Sequence, residues 1–183
     1  VSEGWRILYK NGGKRLNTAG NRPKGWKIRF CAVLAVLLVL AGCSSDAPRD
    51  IYADAGETVH TELFDFTISD VTVVESYGIL TPAEGNKLVK MKLSVFNTSN
   101  EKYTMFAEDF QLQWGDGEQD FGTCLAAIDE EMTPYAYTLE PGSSYDSVMV
   151  VQIPEKTDRL TVAYQEKLED GENGTAYFVE AAL

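Results

Sequence analysis

The chain has 183 residues, of which 44% are hydrophobic, and a formal net charge of −12. That length fits one ordinary domain with accessory segments. Residues 1–42 hold eight of the 16 basic residues and one of the 28 acidic residues, so residues 43–183 carry eight basic and 27 acidic residues. Binding to nucleic acid needs clustered Lys and Arg, and anionic headgroups repel acidic surfaces. We therefore expect no nucleic-acid partner and no flat contact with a membrane.

Residues 22–43 have the pattern of a secretory signal. Four positive charges precede an apolar run from Phe30 to Leu40, which ends in small residues and Cys43. A basic segment followed by roughly 7–15 apolar residues is typical of a signal peptide, whereas a transmembrane helix needs about 20. The alternative is a buried core helix that ends at an incidental cysteine.

The four residues Leu40-Ala41-Gly42-Cys43 resemble the lipobox of bacterial lipoproteins. The resemblance implies that a signal peptidase cuts between Gly42 and Cys43 and that the Cys43 thiol carries a diacylglyceryl group. Residues 1–42 are then a leader and signal peptide that is removed. Two acyl chains on one cysteine suffice for stable anchoring. We expect a protein on the extracytoplasmic face of the cell membrane, with a Gram-positive-type bacterium favoured.

Residues 43–58 are polar and rich in Ala, Asp and Ser. This composition predicts a flexible tether with a reach on the order of 20 Å. If Cys43 is acylated, Cys124 has no second mature cysteine to pair with, so the sequence predicts no disulfide framework.

From residue 59 onward the hydrophobic pattern changes to a period of two, which is typical of half-buried strands. Gly, Pro and Asn clusters separate the strand segments and indicate turns. The most continuously apolar segment, 147–153, is predicted to be a central strand. Short strands at this spacing predict an all-β sandwich or barrel over residues 59–183. The predicted strands cover residues 63–71, 88–96, 110–114, 147–153, 160–164 and 176–179.

One segment departs from the period of two. Leu125, Ile128 and Met132 fall at helical spacing after Thr123. Apolar residues three and four positions apart share one face of a helix, so this spacing predicts a short helix across the end of the sandwich.

The motifs at strand ends and turns resemble those of a bacterial lipoprotein domain of unknown function. The matching motifs, in order, are Asn97-Thr98, Phe110-Gln111-Leu112, Asp116-Gly117 and Leu139-Glu140-Pro141-Gly142. The resemblance covers roughly residues 57–168. It implies an immunoglobulin-like antiparallel β-sandwich, related to the secreted immunoprotective extracellular antigen family. It implies no activity, because that family has no established one.

Two residues are the candidates for nucleophilic catalysis. His60 is the only histidine, so a Ser-His-Asp or Cys-His arrangement would have to use it. No nucleophile-elbow sequence accompanies it, and we expect an exposed residue at a strand end. Cys124 lies among apolar residues without a basic neighbour that would lower its pKa, so we expect a small packed side chain rather than a reactive thiol.

Asp116, Glu118 and Asp120 alternate in a way that suggests calcium binding. An EF-hand loop needs Gly at its sixth position and Glu at its twelfth, where this chain has Phe121 and Ala127. Asp-Gly is a strong hairpin signal, and alternate residues of a strand stand nearly 7 Å apart. We therefore expect a hairpin with solvated acids, no metal site and no cofactor.

Tyr135 and Tyr137 alternate just before Pro141 and could form a strand face or a ligand platform, of which strand packing is the commoner. The sequence as a whole predicts a non-catalytic binding or interaction module of the cell envelope. Its partner is an unidentified envelope protein or glycan. The alternative is an accessory subunit of an envelope transport or signalling complex. A hydrolase would need a cluster of catalytic groups that one histidine does not supply.

Overall fold

The computed structural model describes residues 48–168 and 170–183. The leader over residues 1–42 and the lipidation site, Gly42 and Cys43, lie outside the described residues, so those expectations stay predictions. In the described part of the chain no helix is long and apolar enough to cross a membrane. The strands are β1 (Asp50–Asp54), β2 (Thr58–His60), β3 (Phe64–Val74), β4 (Asn86–Asn97), β5 (Tyr103–Phe106), β6 (Phe110–Gln113), β7 (Phe121–Gly122), β8 (Ala136–Leu139), β9 (Ser144–Pro154), β10 (Arg159–Lys167) and β11 (Asn173–Ala182).

The strands form two main sheets and a ribbon. Sheet A has the order β1-β11-β10-β6-β7, sheet B has the order β2-β3-β4-β9, and β5 pairs with β8. The pairs are antiparallel, except that β1 runs parallel to β11. The predicted all-β, immunoglobulin-like antiparallel sandwich is thereby confirmed, with one parallel pair added.

Aromatic side chains from both sheets meet in the core. Phe64 and Phe66 of sheet B are 1% exposed, and Phe110 of sheet A is fully buried. Their rings meet edge to face, with centroids 5.3 Å apart for Phe66 and Phe110 and 4.8 Å apart for Phe64 and Tyr164. Burying one such side chain contributes about 2–3 kcal/mol, so this cluster is a main source of the sandwich's stability.

The folded domain begins earlier than the sequence predicts. A flexible tether over 43–58 is wrong from residue 50 onward, because β1 occupies part of it and β2 begins at Thr58. β1 pairs with the edge of β11. Ile51 packs against the core, and Tyr52 stacks on Phe178 with ring centroids 5.0 Å apart. The acidic residues that suggested a tether are the solvent-facing positions of this edge strand.

The prediction of a central strand at 147–153 is also wrong. These residues belong to β9, which lies at the edge of sheet B beside β4. Residues 125–133 cover that edge: Leu125 N–H donates to Val150 O at 2.7 Å, and Val148 N–H donates to Glu131 O at 2.7 Å. β9 is continuously apolar because this segment buries its outer face, not because a second strand flanks it.

The predicted helix at Leu125, Ile128 and Met132 does not form, since residues 123–132 contain no helical segment. Leu125 and Met132 instead pack against the outer face of sheet B. Their spacing reflects two points at which an irregular segment contacts the sheet.

Candidate interaction surface

Two loops, residues 75–85 and 124–133, cover the outer face of sheet B near the start of β4. Together they form a feature that we call the platform. It has an apolar cluster of its own, separate from the main core, in which Leu88, Met132 and Val150 are at most 1% exposed. Tyr77 and Leu80 pack against this cluster from the first loop. This cluster therefore acts as a second, smaller core that holds both loops against the sheet.

The first loop contains a tight turn that exposes Ile79. Tyr77 N–H donates to Leu80 O at 3.0 Å, and Leu80 N–H donates to Tyr77 O at 2.8 Å, which closes a turn of two residues. Gly78 takes φ = +55°, a conformation that favours glycine. The Ile79 side chain is 84% exposed, more than any other large hydrophobic residue in the described part of the chain.

The second loop is held by Asp129. Its Oδ1 atom accepts hydrogen bonds from Glu131 N at 3.1 Å and from Met132 N at 3.0 Å, and the Tyr77 hydroxyl lies 3.5 Å away. Desolvation, followed by the nearby Asp129 and Glu131 carboxylates, raises the pKa of Tyr77. The contact between Tyr77 and Asp129 joins the two loops.

The platform is acidic. Its two loops contain no Lys or Arg, and their acidic residues are Glu75, Glu84, Asp129, Glu130 and Glu131. Ile128, beside Gly78, is 38% exposed. The surface thus combines two exposed aliphatic side chains with five neighbouring carboxylates.

A groove of about 430 Å³ adjoins the platform on the outer face of sheet B. Lys92 Nζ lies 3.4 Å from Asp146 Oδ2, and hydrogen bonds from Ser94 and then Lys92 lower the pKa of Asp146. Such exposed pairs contribute little to stability. The Ser147 hydroxyl lies 2.8 Å from Thr133 Oγ1, and the residue is buried. The charged side chains that line the groove are Asp70, Lys90, Lys92, Glu130, Glu131 and Asp146.

His60 lies in a second, open pocket of about 620 Å³ between β1 and β2. Its Nδ1 atom is 2.8 Å from Asp65 Oδ1, and the side chain is 75% exposed. It makes no hydrogen bond to a Ser, Thr or Cys side chain of the described residues. This is the exposed strand-end residue that the sequence predicts.

Cys124 lies at the start of the platform's second loop, partly buried and packed against the main core. Burial raises the pKa of its thiol, and a backbone hydrogen bond offsets part of that effect. A protonated, packed thiol agrees with the expectation of a small hydrophobic side chain.

The acidic run Asp116, Glu118 and Asp120 lies in the turn between β6 and β7. Trp114 N–H donates to Asp120 O at 2.8 Å, and Asp120 Oδ2 accepts from Gly117 N–H at 2.8 Å. The predicted hairpin is confirmed, but the residues are in a turn and not along an extended strand, so the 7 Å spacing does not apply. Over residues 48–168 and 170–183, no group of three His, Cys, Asp or Glu side chains is arranged to hold a metal ion.

The two candidate tyrosines have different environments. Tyr137 is 7% exposed and stacks on Tyr145 with ring centroids 4.2 Å apart. Tyr135 is 70% exposed and meets Phe106 edge to face at 5.8 Å. Tyr137 is therefore a core residue, and the pair does not form a shared ligand face.

Two buried tyrosines should respond oppositely to loss of the hydroxyl. The Tyr137 hydroxyl is buried and has no hydrogen-bond partner among the described residues, whereas Tyr177 OH donates to Glu166 Oε1 at 2.8 Å. We expect Tyr137→Phe to raise the free energy of unfolding by about 1 kcal/mol and Tyr177→Phe to lower it by about 1–2 kcal/mol. Urea unfolding of both variants measures this. A loss of stability in Tyr137→Phe would show that the Tyr137 hydroxyl has a partner in solution.

Comparison with known proteins places this sandwich in a family. Residues 53–174 match the model of the Domain of unknown function (DUF4352). The match spans more than half of the chain, and the chain belongs to this family. No curated protein is significantly similar to it.

Two solved structures from Bacillus subtilis share the fold. The candidate lipoprotein ycdA is 15% identical with a TM-score of 0.53, and the match covers 68% of this chain and 38% of that protein. The yjhA protein is 17% identical with a TM-score of 0.53, and the match covers 70% of this chain and 98% of that one. The chain thus spans well under half of ycdA. At these identities the likeness shows the fold alone.

Proposed function

We propose that this protein is a lipid-anchored, extracytoplasmic module of the bacterial cell envelope that acts by binding and not by catalysis. The platform is the observation that carries the proposal. Two loops with a buried cluster of their own hold an isoleucine in solvent at 84% exposure. Such a side chain adds nothing to the fold, since burial is what makes an apolar side chain stabilising. A role in binding would explain why Ile79 is exposed.

The point at which the chain enters the sandwich supports the proposal. β1 begins at Asp50, so the chain from Cys43 to this strand spans at most about 25 Å when extended. The end of the sandwich at which β1 begins also contains the β2–β3 turn. Glu62 N–H in this turn and Tyr177 OH in β11 both donate to Glu166 Oε1, which brings the turn close to that end. β4 runs from the platform to this end, about 30 Å from Leu88 to Asn97. An anchor at Cys43 would therefore present the platform away from the membrane.

The candidate catalytic groups also fit a binding role. His60 is exposed and pairs with Asp65 alone, and the Cys124 thiol has a raised pKa. The Ser147 hydroxyl is hydrogen-bonded to the Thr133 hydroxyl. Membership of a transport or signalling complex would be a particular case of the same binding role.

The lipid assignment is tested by labelling cells with palmitate. We expect the wild-type protein and Cys124→Ala to carry the label and to stay with the membrane fraction. Cys43→Ala should lose the label because no other mature thiol lies at a signal-peptidase site. Label that persists on Cys43→Ala would show that the lipid assignment is wrong.

A further inference from the structure

We propose that the platform docks a partner protein that offers an apolar pocket with a basic rim, and that Ile79 is the side chain that enters this pocket. The inference rests on the proposed binding function and names the class of partner. It follows from the shape, the rigidity and the charge of the platform.

The shape indicates a protein partner. Sites for small molecules are concave and enclose their ligand, whereas Ile79 projects outward from the tip of a turn. A projecting side chain is buried only if the partner supplies the concavity. Ile128, next to Gly78, widens the apolar surface at the base of this projection.

The rigidity makes such a contact favourable. Two backbone hydrogen bonds between Tyr77 and Leu80 fix the turn, and Asp129 fixes the adjoining loop. A β-branched side chain such as Ile79 has few rotamers to lose. Binding through a preorganised surface loses little conformational entropy, so a small apolar contact contributes more of its burial energy to affinity.

The charge selects among partners. The two loops carry five acidic residues and no basic ones, so a basic rim on the partner complements them. The same carboxylates repel anionic lipid and nucleic acid. They also repel the identical surface of a second copy of this chain, and an envelope protein with Lys and Arg around an apolar pocket is the occupant that fits.

The groove extends the docking surface beyond the platform. Glu130 and Glu131 belong to the platform and also line the groove, where Lys90 and Lys92 lie. A partner seated on Ile79 can therefore reach into the groove with a charged segment. Contact with the groove adds buried area to an interface that would be small if Ile79 and Ile128 alone formed it.

The test is site-specific photo-crosslinking of the full-length chain in the bacterium that produces it. A photoreactive phenylalanine replaces Thr81, an exposed residue beside the turn, in one strain and Leu63 in another, so that Ile79 itself is kept. Leu63 is the control because it is also exposed, at 47%, and lies in the β2–β3 turn at the opposite end of sheet B. We expect a cross-linked protein at position 81 and none at position 63. Mass spectrometry should map the cross-link to a segment in which Lys or Arg flanks apolar residues.

Second substitutions made with the photoreactive residue kept at position 81 separate contact from folding. Ile79→Asp, Ile128→Asp and Glu130→Lys should each reduce the yield at least fivefold, while Ile128→Val should leave it unchanged. Equal yields at 81 and 63, a product with lipid or a second copy, or a mapped acidic segment would overturn the proposal. A product at 63 alone would leave the binding function standing on another surface, whereas no product at either position would count against both.

Discussion

Raising the pH above 10 is expected to unfold the domain within about two pH units. The phenols of Tyr103, Tyr137, Tyr164 and Tyr177 are desolvated, which raises their pKa above the ordinary value of 10.0 and that of Tyr103 to about 12. For Tyr137 and Tyr164 the nearby Asp109 carboxylate adds to this effect. Ionisation of these groups is therefore much easier in the unfolded chain.

The sign of the effect follows from proton binding. Below pH 10 both states hold their phenolic protons, and the stability is fully present. Above pH 10 the unfolded chain releases protons that the folded chain retains, so stability falls until the pH passes the raised pKa values. Each buried phenol contributes about 1.4 kcal/mol per pH unit, so Tyr137 and Tyr164 together contribute roughly 3 kcal/mol per unit. Tyr103 and Tyr177 add less per group because solvent screens them more.

Urea unfolding at pH 8, 10 and 11, with tyrosinate absorbance followed in parallel, measures this dependence. Tyr137→Phe is the matched variant, and its stability should fall less steeply by about 1.4 kcal/mol per pH unit. Phenols that all ionise near pH 10 while the sandwich stays folded would contradict the buried environment that the structure assigns to them.

Asn97→Ala is expected to lower the free energy of unfolding by about 3 kcal/mol. Asn97 is fully buried at the end of β4. Its Nδ2 donates to Glu101 O at 2.8 Å and to Leu139 O at 3.2 Å, and its Oδ1 accepts from Ser99 N–H at 2.9 Å and Ser99 Oγ–H at 2.8 Å. Alanine would leave the buried Leu139 carbonyl without this donor and would release the loop after β4, each at about 1–3 kcal/mol.

Ser99→Ala is the control for this prediction. It removes one hydroxyl from the same loop but leaves the Asn97 amide bonded to both carbonyls, so it should cost only about 1 kcal/mol. Urea unfolding compares the two variants directly. Equal losses of stability in both variants would show that the Asn97 side chain does not stabilise the contact between β4 and β8.

The alternation of apolar residues predicts where strands lie better than how they pair. In β4 the residues Val89, Met91, Leu93 and Val95 are buried as the period of two requires. β9 shows the limit of this signal. Its continuous apolarity indicates that both faces of the strand are buried, but it does not distinguish a central strand from an edge strand that a loop covers. β1 was missed because exposed acidic residues fill alternate positions of an edge strand, which resembles a polar tether.

The platform could not be predicted from its residues. Leu125, Ile128 and Met132 have helical spacing, but two of them pack on a sheet while Ile128 stays partly exposed. Ile79 is an ordinary apolar residue in the sequence, and its exposure depends on where the turn at Gly78 directs it. The sequence signal that was available, glycine followed by a β-branched residue between Tyr77 and Leu80, indicates a tight turn but not what the turn displays.

The most direct test of a lipid-anchored module is the mass of the N-terminal tryptic peptide of the protein purified from membranes. We expect a peptide of residues 43–49, from Cys43 to Arg49, with a diacylglyceryl group on the cysteine. An unmodified peptide that extends across the bond between Gly42 and Cys43, such as residues 30–49, would contradict both the cleavage and the anchor.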